Sequence, residues 1–289
     1  MVCLHPIVVK FRGKAGNLVS RSVPCGQCMA CRVNRTADWS RRIIAESHMH
    51  DSNLFLTLTY NDEHLPDDKS IHKSAIQLFL KRLRKAISPT KIRYFAVGEY
   101  GEKFGRPHYH LIIFGLKWCP DNMAIIRKCW SFGFCYFGSV TLDSARYVAC
   151  YVQKKLTGKA AIVYKQKGLE PEFALMSRRP GLGASFADKY RDMLFRNRFW
   201  TERGKKLPIP RYMRARICRD EHDEGLYANA VKNYFDDSYI KFCVENRIDL
   251  SQPVSVIDRQ VWLAKGYDTE RRLSRMSDKK RFTVRKNSV

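Results

Sequence analysis

Between residues 54 and 158 the apolar pattern switches between the two-residue period of strands and the 3.6-residue period of helices. The order is strand, helix, strand, strand, helix, strand, helix. That order predicts an α+β fold whose antiparallel sheet has the split βαβ, ferredoxin-like arrangement. A second observation is the stretch 106–115, Arg-Pro-His-Tyr-His-Leu-Ile-Ile-Phe-Gly, in which two histidines lead into an apolar, β-branched run closed by glycine. Side chains at i and i+2 of a strand share a face, so His108 and His110 aim both imidazoles at one spot. In a split βαβ sheet the first and third strands are central, which puts the histidine strand mid-sheet with one face open to a ligand.

Each element has its own signal. The first segment contains Cys3 and then Cys25-Gly26-Gln27-Cys28-Met29-Ala30-Cys31. A helix is expected over Asn34–Met49, with Trp39, Ile43, Ile44 and Ser47 on one face and Arg41 and Arg42 elsewhere. Leu54–Tyr60 (LFLTLTY) alternates apolar residues with threonine and reads as a strand. The polar, proline-containing stretch 61–68 is a loop. Ser74 is placed to cap a helix with Ile76, Phe79, Leu80 and Leu83 inside and Lys81, Arg82, Arg84 and Lys85 outside. Ile92–Val97 and His108–Phe114 are the second and third strands. Asp121 can cap a short helix to Trp130, and Gly133–Val140, aromatic and glycine-bounded, is the fourth strand. A last helix, from Asp143, is expected to stop at Gly158.

Beyond Gly158 the periodicity weakens. Residues 178–216 hold twelve Lys/Arg against three Asp/Glu, with Phe195, Phe199, Trp200 and Tyr212 interleaved. Phosphate contacts plus base stacking and a loop-rich solvated surface are both open readings of that mixture. Arg178, Arg179, Lys205, Lys206 and Arg211 are the candidate DNA contacts. Tyr227–Asn246 is expected to be helical, and Lys265–Lys286 is a second basic stretch ending in a frayed tail. The expected organisation is a cysteine-containing segment with a helix (1–50), a catalytic domain (51–160) and a basic, aromatic-containing region (161–289).

Charge narrows the function classes. The 289 residues carry 53 Lys+Arg against 28 Asp+Glu, a net +25, and a field of that strength points to nucleic acid as partner. No stretch approaches the ~18 apolar residues of a membrane span, and residues 1–10 lack the apolar run of a signal peptide. Ten cysteines, three of them clustered, suit a reducing cytoplasm with reduced or metal-bound thiols better than a secreted disulfide framework. A nucleotide-binding GxxxxGK[ST] loop is missing, which argues against a built-in ATP-driven motor.

Two imidazoles seldom hold a catalytic divalent ion alone, and Glu99 in Val97-Gly98-Glu99-Tyr100-Gly101 is the candidate third ligand. Such a set, harder than a thiolate site, suits Mg²⁺ or Mn²⁺ against a phosphate oxygen. A nucleophile is offered by Tyr147 and Tyr151, one helical turn apart, with Lys154 three residues on to favour phenolate. The second H-x-H pair, His48 and His50, lacks a following apolar strand and reads as a helix terminus. Cys3, Cys25, Cys28 and Cys31 supply four thiols, enough for a structural Zn²⁺. Their spacing is tight for one zinc; an iron–sulfur cluster and unliganded thiols are the other readings.

Three stretches together carry a resemblance: FLTLTY, GEYG…GRPHYHLIIFG and ARYVACYVQKK. They resemble the motifs of the HUH (His-hydrophobic-His) rolling-circle replication initiators. The paired tyrosines, with PCGQCMACR upstream and SRRPGLG and KLPIPRYM downstream, resemble the gokushovirus-type replication proteins of the Microviridae. Asp38 stands before Trp39 where that family suggests glutamate, and nothing after about Ile217 matches. The resemblance implies an HUH-type fold and a site-specific nickase and strand transferase of single-stranded DNA. His108, His110 and Glu99 would hold the metal on the scissile phosphate. One tyrosine would form a 5′-phosphotyrosine link and free a 3′-OH to prime a host polymerase; the second would cleave the regenerated origin. The implied partners are single-stranded and supercoiled phage origin DNA with a host helicase and polymerase, in the host bacterial cytoplasm and away from membranes. A non-enzymatic nucleic-acid-binding module on the same sheet, and an HUH transposase or relaxase, are the competing classes.

Overall fold

The computed structural model describes the backbone of all residues but 14–15, 102–104, 155–161 and 287–289. Of those, it describes the side chains of all but 152–154, 163, 165, 231–236, 255 and 277–286. Two compact units are present, one formed by Met1–Asn34 with Asp220–Val289 and the other by Arg35–Arg219.

In chain order, β1 (Ile7–Arg12) and β2 (Leu18–Val23) form an antiparallel hairpin, and α1 (Met29–Ser47) follows. Next come β3 (Asn53–Tyr60), α2 (Lys73–Ala86), β4 (Arg93–Tyr100), β5 (Pro107–Phe114), α3 (Pro120–Cys129), β6 (Gly133–Ser139) and α4 (Leu142–Lys154). These reproduce the expected alternation of strand and helix. The expected helix stop at Gly158 lies outside the described residues. Ser74 falls inside α2, whose cap position is His72 with no side-chain cap bond; His72 is extended there, so the backbone turns into the helix earlier than Ser74. After the short α5 (Ile162–Gln166) come β7 (Phe173–Met176), α6 (Ala184–Lys189), α7 (Arg191–Asn197), β8 (Phe199–Glu202), β9 (Lys205–Pro208) and α8 (Arg211–Ile217). Two long helices, α9 (Glu221–Glu245) and α10 (Val254–Lys286), complete the described chain. The basic stretch expected to fray is thus helical as far as Lys286.

The main sheet is antiparallel with strand order β6-β3-β5-β4-β7. The histidine strand β5 lies at its centre, between the first and second strands of the catalytic stretch. β7, which lies beyond residue 160, adds a fifth strand against β4.

Strand parity sorts the core. Leu54, Leu56 and Leu58 of β3 and Tyr109, Leu111 and Ile113 of β5 meet Ile76, Phe79, Leu80 and Leu83 of α2 and Ile126 of α3 on one face. On the other face Phe55, Phe95, Val97, Ile112 and Phe114 meet Ile43 and Ile44 of α1 and Ala145, Val148 and Ala149 of α4. Each such side chain, buried, is worth roughly 1.5–3 kcal/mol. The face expected to stand open is therefore covered along most of its length. The reason is in the sequence: Leu111–Phe114 is a continuous apolar run, which a strand buried on both sides requires. Thr36 Oγ1 donates to the Ala149 carbonyl at 3.3 Å, tying α1 to α4 across that face.

A buried carboxylate holds the segment after β7 in place. Glu46 of α1 is almost wholly enclosed; it pairs with Arg93 and His50 and accepts the Gly183 N–H at 2.7 Å. Gly183 has φ +81°, a left-handed conformation that a side chain would strain. Close by, the Arg42 guanidinium lies 4.2 Å from the Trp39 ring centre and 4.2 Å from that of Tyr212, whose hydroxyl accepts from the Gly181 N–H. The SRRPGLG and KLPIPRYM stretches meet around Arg42 and Glu46, so structure explains them. Burial by itself would raise the Glu46 pKa; the His50 and Gly183 hydrogen bonds and Arg93 overcome it and hold it below the ordinary glutamate range.

A depressed folded-state pKa adds stability above the unfolded value, about 4.3 for glutamate, and that stability is lost as pH falls through the folded value. Glu46→Ala is expected to cost about 2–3 kcal/mol at pH 7, with Arg93 and the Gly183 N–H left uncompensated. The difference from the parent should shrink below about pH 4. Denaturant unfolding at both pH values measures it; an equal deficit at each would remove the carboxylate from the account.

Candidate active site

The register of the central strands assembles the site. Glu99 of β4 stands opposite His108 of β5, Thr57 of β3 opposite His110, and Tyr136 of β6 opposite Thr57. With a strand period of two, Glu99, His108, His110, Thr57 and Tyr136 share one face, the face crossed by α4.

His110 is the hub. Its Nε2 lies 2.8 Å from Glu99 Oε1 and its Nδ1 2.9 Å from Thr57 Oγ1. Glu99 and His110 are both buried. The Tyr151 ring stacks on the imidazole at 5.0 Å and 7°, and the Tyr147 ring meets it edge-on at 5.2 Å. The two tyrosine rings are 5.1 Å apart and nearly perpendicular. They differ in access: Tyr147 is 47% exposed and Tyr151 7%. Burial first, then hydrogen bonds to Tyr147 and Glu99, raise the Tyr151 pKa well above that of a free phenol.

His108 stands somewhat apart, its ring centre 6.5 Å from that of His110. Burial, with His110 next, lowers its pKa and keeps the imidazole neutral, the form that binds metal. The glycines of the GEYG stretch make room for neighbours. A Cβ on Gly101 would sit 2.7 Å from His108 Nε2, and one on Gly98 2.7 Å from the Phe173 ring. Arg106 reaches back to the Tyr60 carbonyl and to Asp62, at 2.7 Å, which ties the start of β5 to the end of β3.

The sequence candidates are thus brought together unevenly. Glu99, His110, Tyr147 and Tyr151 form one connected group with Thr57, and His108 shares their face. Two nitrogens and a carboxylate are a donor set that fits a hard divalent ion. Lys154 ends α4, and its side chain lies outside the described residues. Arg178 and Arg179 line a separate cleft with Arg84 and Arg93, while Lys205, Lys206 and Arg211 are exposed on β9 and α8. His48 pairs with Glu202 and His50 with Glu46, so the second H-x-H pair is taken up in structural contacts.

An open groove beside His110 is lined by Phe55, Thr57, Tyr136, Asp143, Ser144 and Tyr147. Next to it, Phe134 and Tyr136 of β6 are 69% and 68% exposed. Sequence reasoning did not single these two out. The available signal was the alternation in Gly133–Ser139, which places aromatics at every second position of what proves to be an edge strand. By contrast, Trp200 is buried and Tyr212 stacks on Arg42, so those interleaved aromatics pack within the protein.

A family model described as a replication-associated protein of ORF2 type matches residues 53–156, the stretch that carries the histidine strand and both tyrosines. Over 245 residues the chain is 33% identical to the replication-associated protein VP4 of Bdellovibrio phage phiMH2K, covering 73% of this chain and 76% of that one. It is 32% identical over 253 residues to the replication-associated protein ORF2 of Spiroplasma virus 4, covering 78% and 76%. A third relative, the replication-associated protein ORF4 of Chlamydia phage 1, is 28% identical over 236 residues, covering 73% and 58%. The chain belongs to this family of phage replication-associated proteins. No solved structure matches it.

Gly101→Ala tests the packing around His108. The imidazole can swing aside, so stability should change by less than about 1 kcal/mol, while the ring is displaced. NMR resonances of the His108 ring should shift with the melting temperature little changed. An unmoved ring alongside a large loss of stability would mean that Gly101 serves the backbone instead.

Proposed function

We propose that this chain is a replication initiator of HUH type that nicks and rejoins single-stranded DNA at a phage origin through a 5′-phosphotyrosine intermediate. The observation that carries this reading is the pair of tyrosine rings packed on His110, itself hydrogen-bonded to Glu99, beside an open groove. Family membership and the strand order, with the fourth, first, third and second strands of a split βαβ sheet side by side, support it.

Tyr147, at the groove, is the first nucleophile. Its oxygen attacks the scissile phosphorus, the bond to the 3′ oxygen breaks, and that oxygen leaves as a 3′-OH. Rejoining reverses the step: a 3′-OH attacks the phosphotyrosine and the phenol departs. One phosphodiester bond replaces another each time, so the cycle needs no ATP. Mg²⁺ or Mn²⁺, held by Glu99, His108 and His110, supplies Lewis-acid polarisation of a phosphate oxygen. Thr57 fixes the imidazole: with Nδ1–H donated to Thr57 Oγ1, Nε2 keeps its lone pair for a ligand. Tyr151, enclosed beneath Tyr147, acts second, once the first phenol is bonded to DNA. Phe134 and Tyr136 offer ring faces on which bases flanking the cleavage point can stack.

In the presence of Mn²⁺, labelled single-stranded origin DNA should yield a covalent protein–DNA adduct visible on a denaturing gel. Tyr147→Phe should abolish the first adduct, while Tyr151→Phe should form it and fail to release successive circles. The ring is kept in both, so packing is preserved. DNA binding without an adduct in the parent protein would favour the non-enzymatic module. An adduct in Tyr147→Phe equal to that of the parent would reassign the first nucleophile.

Affinity should come largely from lysine and arginine contacts to phosphates. Replacing both Lys205 and Lys206 with alanine is expected to lower the slope of log K against log salt by about 1–1.5, at roughly 0.7 per lost phosphate contact on a single strand. An unchanged slope would move the DNA track away from β9.

A further inference from the structure

Among the described residues, the side chains of Cys3, Cys25, Cys28 and Cys31 are the set of metal-capable groups gathered most closely, with all four sulfurs within 4.8 Å of one another. Cys3 Sγ is 3.6 Å from Cys25 Sγ and 3.8 Å from Cys28 Sγ, and Cys25 Sγ is 4.0 Å from Cys31 Sγ. Disulfides need sulfurs about 2.05 Å apart, so these thiols are unbridged. A tetrahedron with Zn–S bonds of about 2.3 Å has edges of about 3.8 Å, and the observed separations cluster on that length. We propose that these four cysteines bind one zinc ion and that the ion clamps the base of the β1–β2 hairpin to the start of α1.

Local structure resolves the tight spacing. Cys25-Gly26-Gln27-Cys28 is a turn in which Gly26 takes φ +75°, and Cys28 stands just before α1 while Cys31 lies in its first turn. One C-x-x-C is thus a loop and the next a helical turn, so three sulfurs close in sequence can still face a common centre. Backbone N–H groups of Gln27 and Cys28 donate to Cys25 Sγ at 3.4 and 3.3 Å, and that of Cys25 donates to Cys3 Sγ at 3.3 Å. Such bonds stabilise thiolate charge. Cys3 and Cys31 are buried, which shields the centre from solvent. A polynuclear iron–sulfur cluster spreads its thiolates across several ions, a wider cage than these sulfurs describe.

The hairpin explains the need for the clamp. All of β1 is exposed, as is most of β2, and an isolated two-stranded hairpin is marginal in water. Cys3 precedes its first strand and Cys25 follows its second, so an ion joining them closes the open end of the ribbon. This proposal stands or falls independently of the nicking reaction.

The test uses the full chain. Elemental analysis after purification should find about one zinc per chain, and Cys25→Ser with Cys28→Ser should lower that to background. Should that variant fail to fold, cobalt(II) exchanged into the unmodified chain answers separately, giving intense tetrahedral d–d bands and thiolate charge-transfer absorption. Chelation should expose the four thiols to alkylation and speed tryptic cleavage at Lys10, Arg12 and Arg21 by about tenfold. Four thiols alkylated at full rate in the presence of zinc, or octahedral cobalt spectra, would overturn the proposal. Stoichiometric iron with visible charge-transfer bands would replace zinc by a cluster.

Discussion

Pairing of β5 between β3 and β4 sets His110 opposite Thr57 on one side and Val97 on the other, and His108 opposite Thr59 and Glu99. Because side chains alternate along a strand, a slip of one residue would turn both imidazoles into the packed face beneath α2 and bring Tyr109 and Leu111 toward α4. The apolar residues that forbid the slip are the same ones that build the two cores. Site geometry and fold stability therefore rest on one set of backbone hydrogen bonds, and no separate loop has to be ordered to bring imidazole and carboxylate together.

The second face shows how the chain divides its length. Toward one end of the sheet, Ile112, Phe114, Phe55 and Phe95 are sealed by α1 and α4. Toward the other, the same face carries Thr57, His108, His110 and Glu99, and the cover thins to two tyrosines of α4. Tyr151 belongs to the sealed part and Tyr147 to the open groove, although they are one helical turn apart. That gradient from core to groove makes two chemically identical phenols unequal. On the far side of α1, Glu46 and Arg42 draw in the segment after β7, which keeps basic residues such as Arg178 and Arg179 beside the sheet.

Much of this was legible in the sequence, because the controlling signals were local and strongly periodic. The HYHLIIF strand, the LFLTLTY strand and the amphipathic helix after Lys73 each declared their type, and their order gave the central place of the histidines. What the sequence hid were relations between elements. An apolar run reads the same whether one face or both are covered, so the lid formed by α1 and α4 went unseen. The basic, aromatic stretch 178–216 looked like a stacking surface, but Trp200 and Tyr212 are claimed by partners distant in the chain. Phe134 and Tyr136 were passed over since nothing in a seven-residue strand marks it as an edge. Family likeness identified the tyrosines' setting, and only the packing of α4 on the sheet distinguished one from the other.

Gly101 carries no functional group, and yet its missing side chain is what admits the His108 ring. Any larger residue there must be matched by a smaller one at position 108, and no smaller residue offers an imidazole. Substitution at either position is therefore closed off by the other, as with two pieces of a puzzle cut along one line. A search for distant relatives that weights the histidines and ignores this void would use half of the signature; the glycine three residues after Gly98 is the other half.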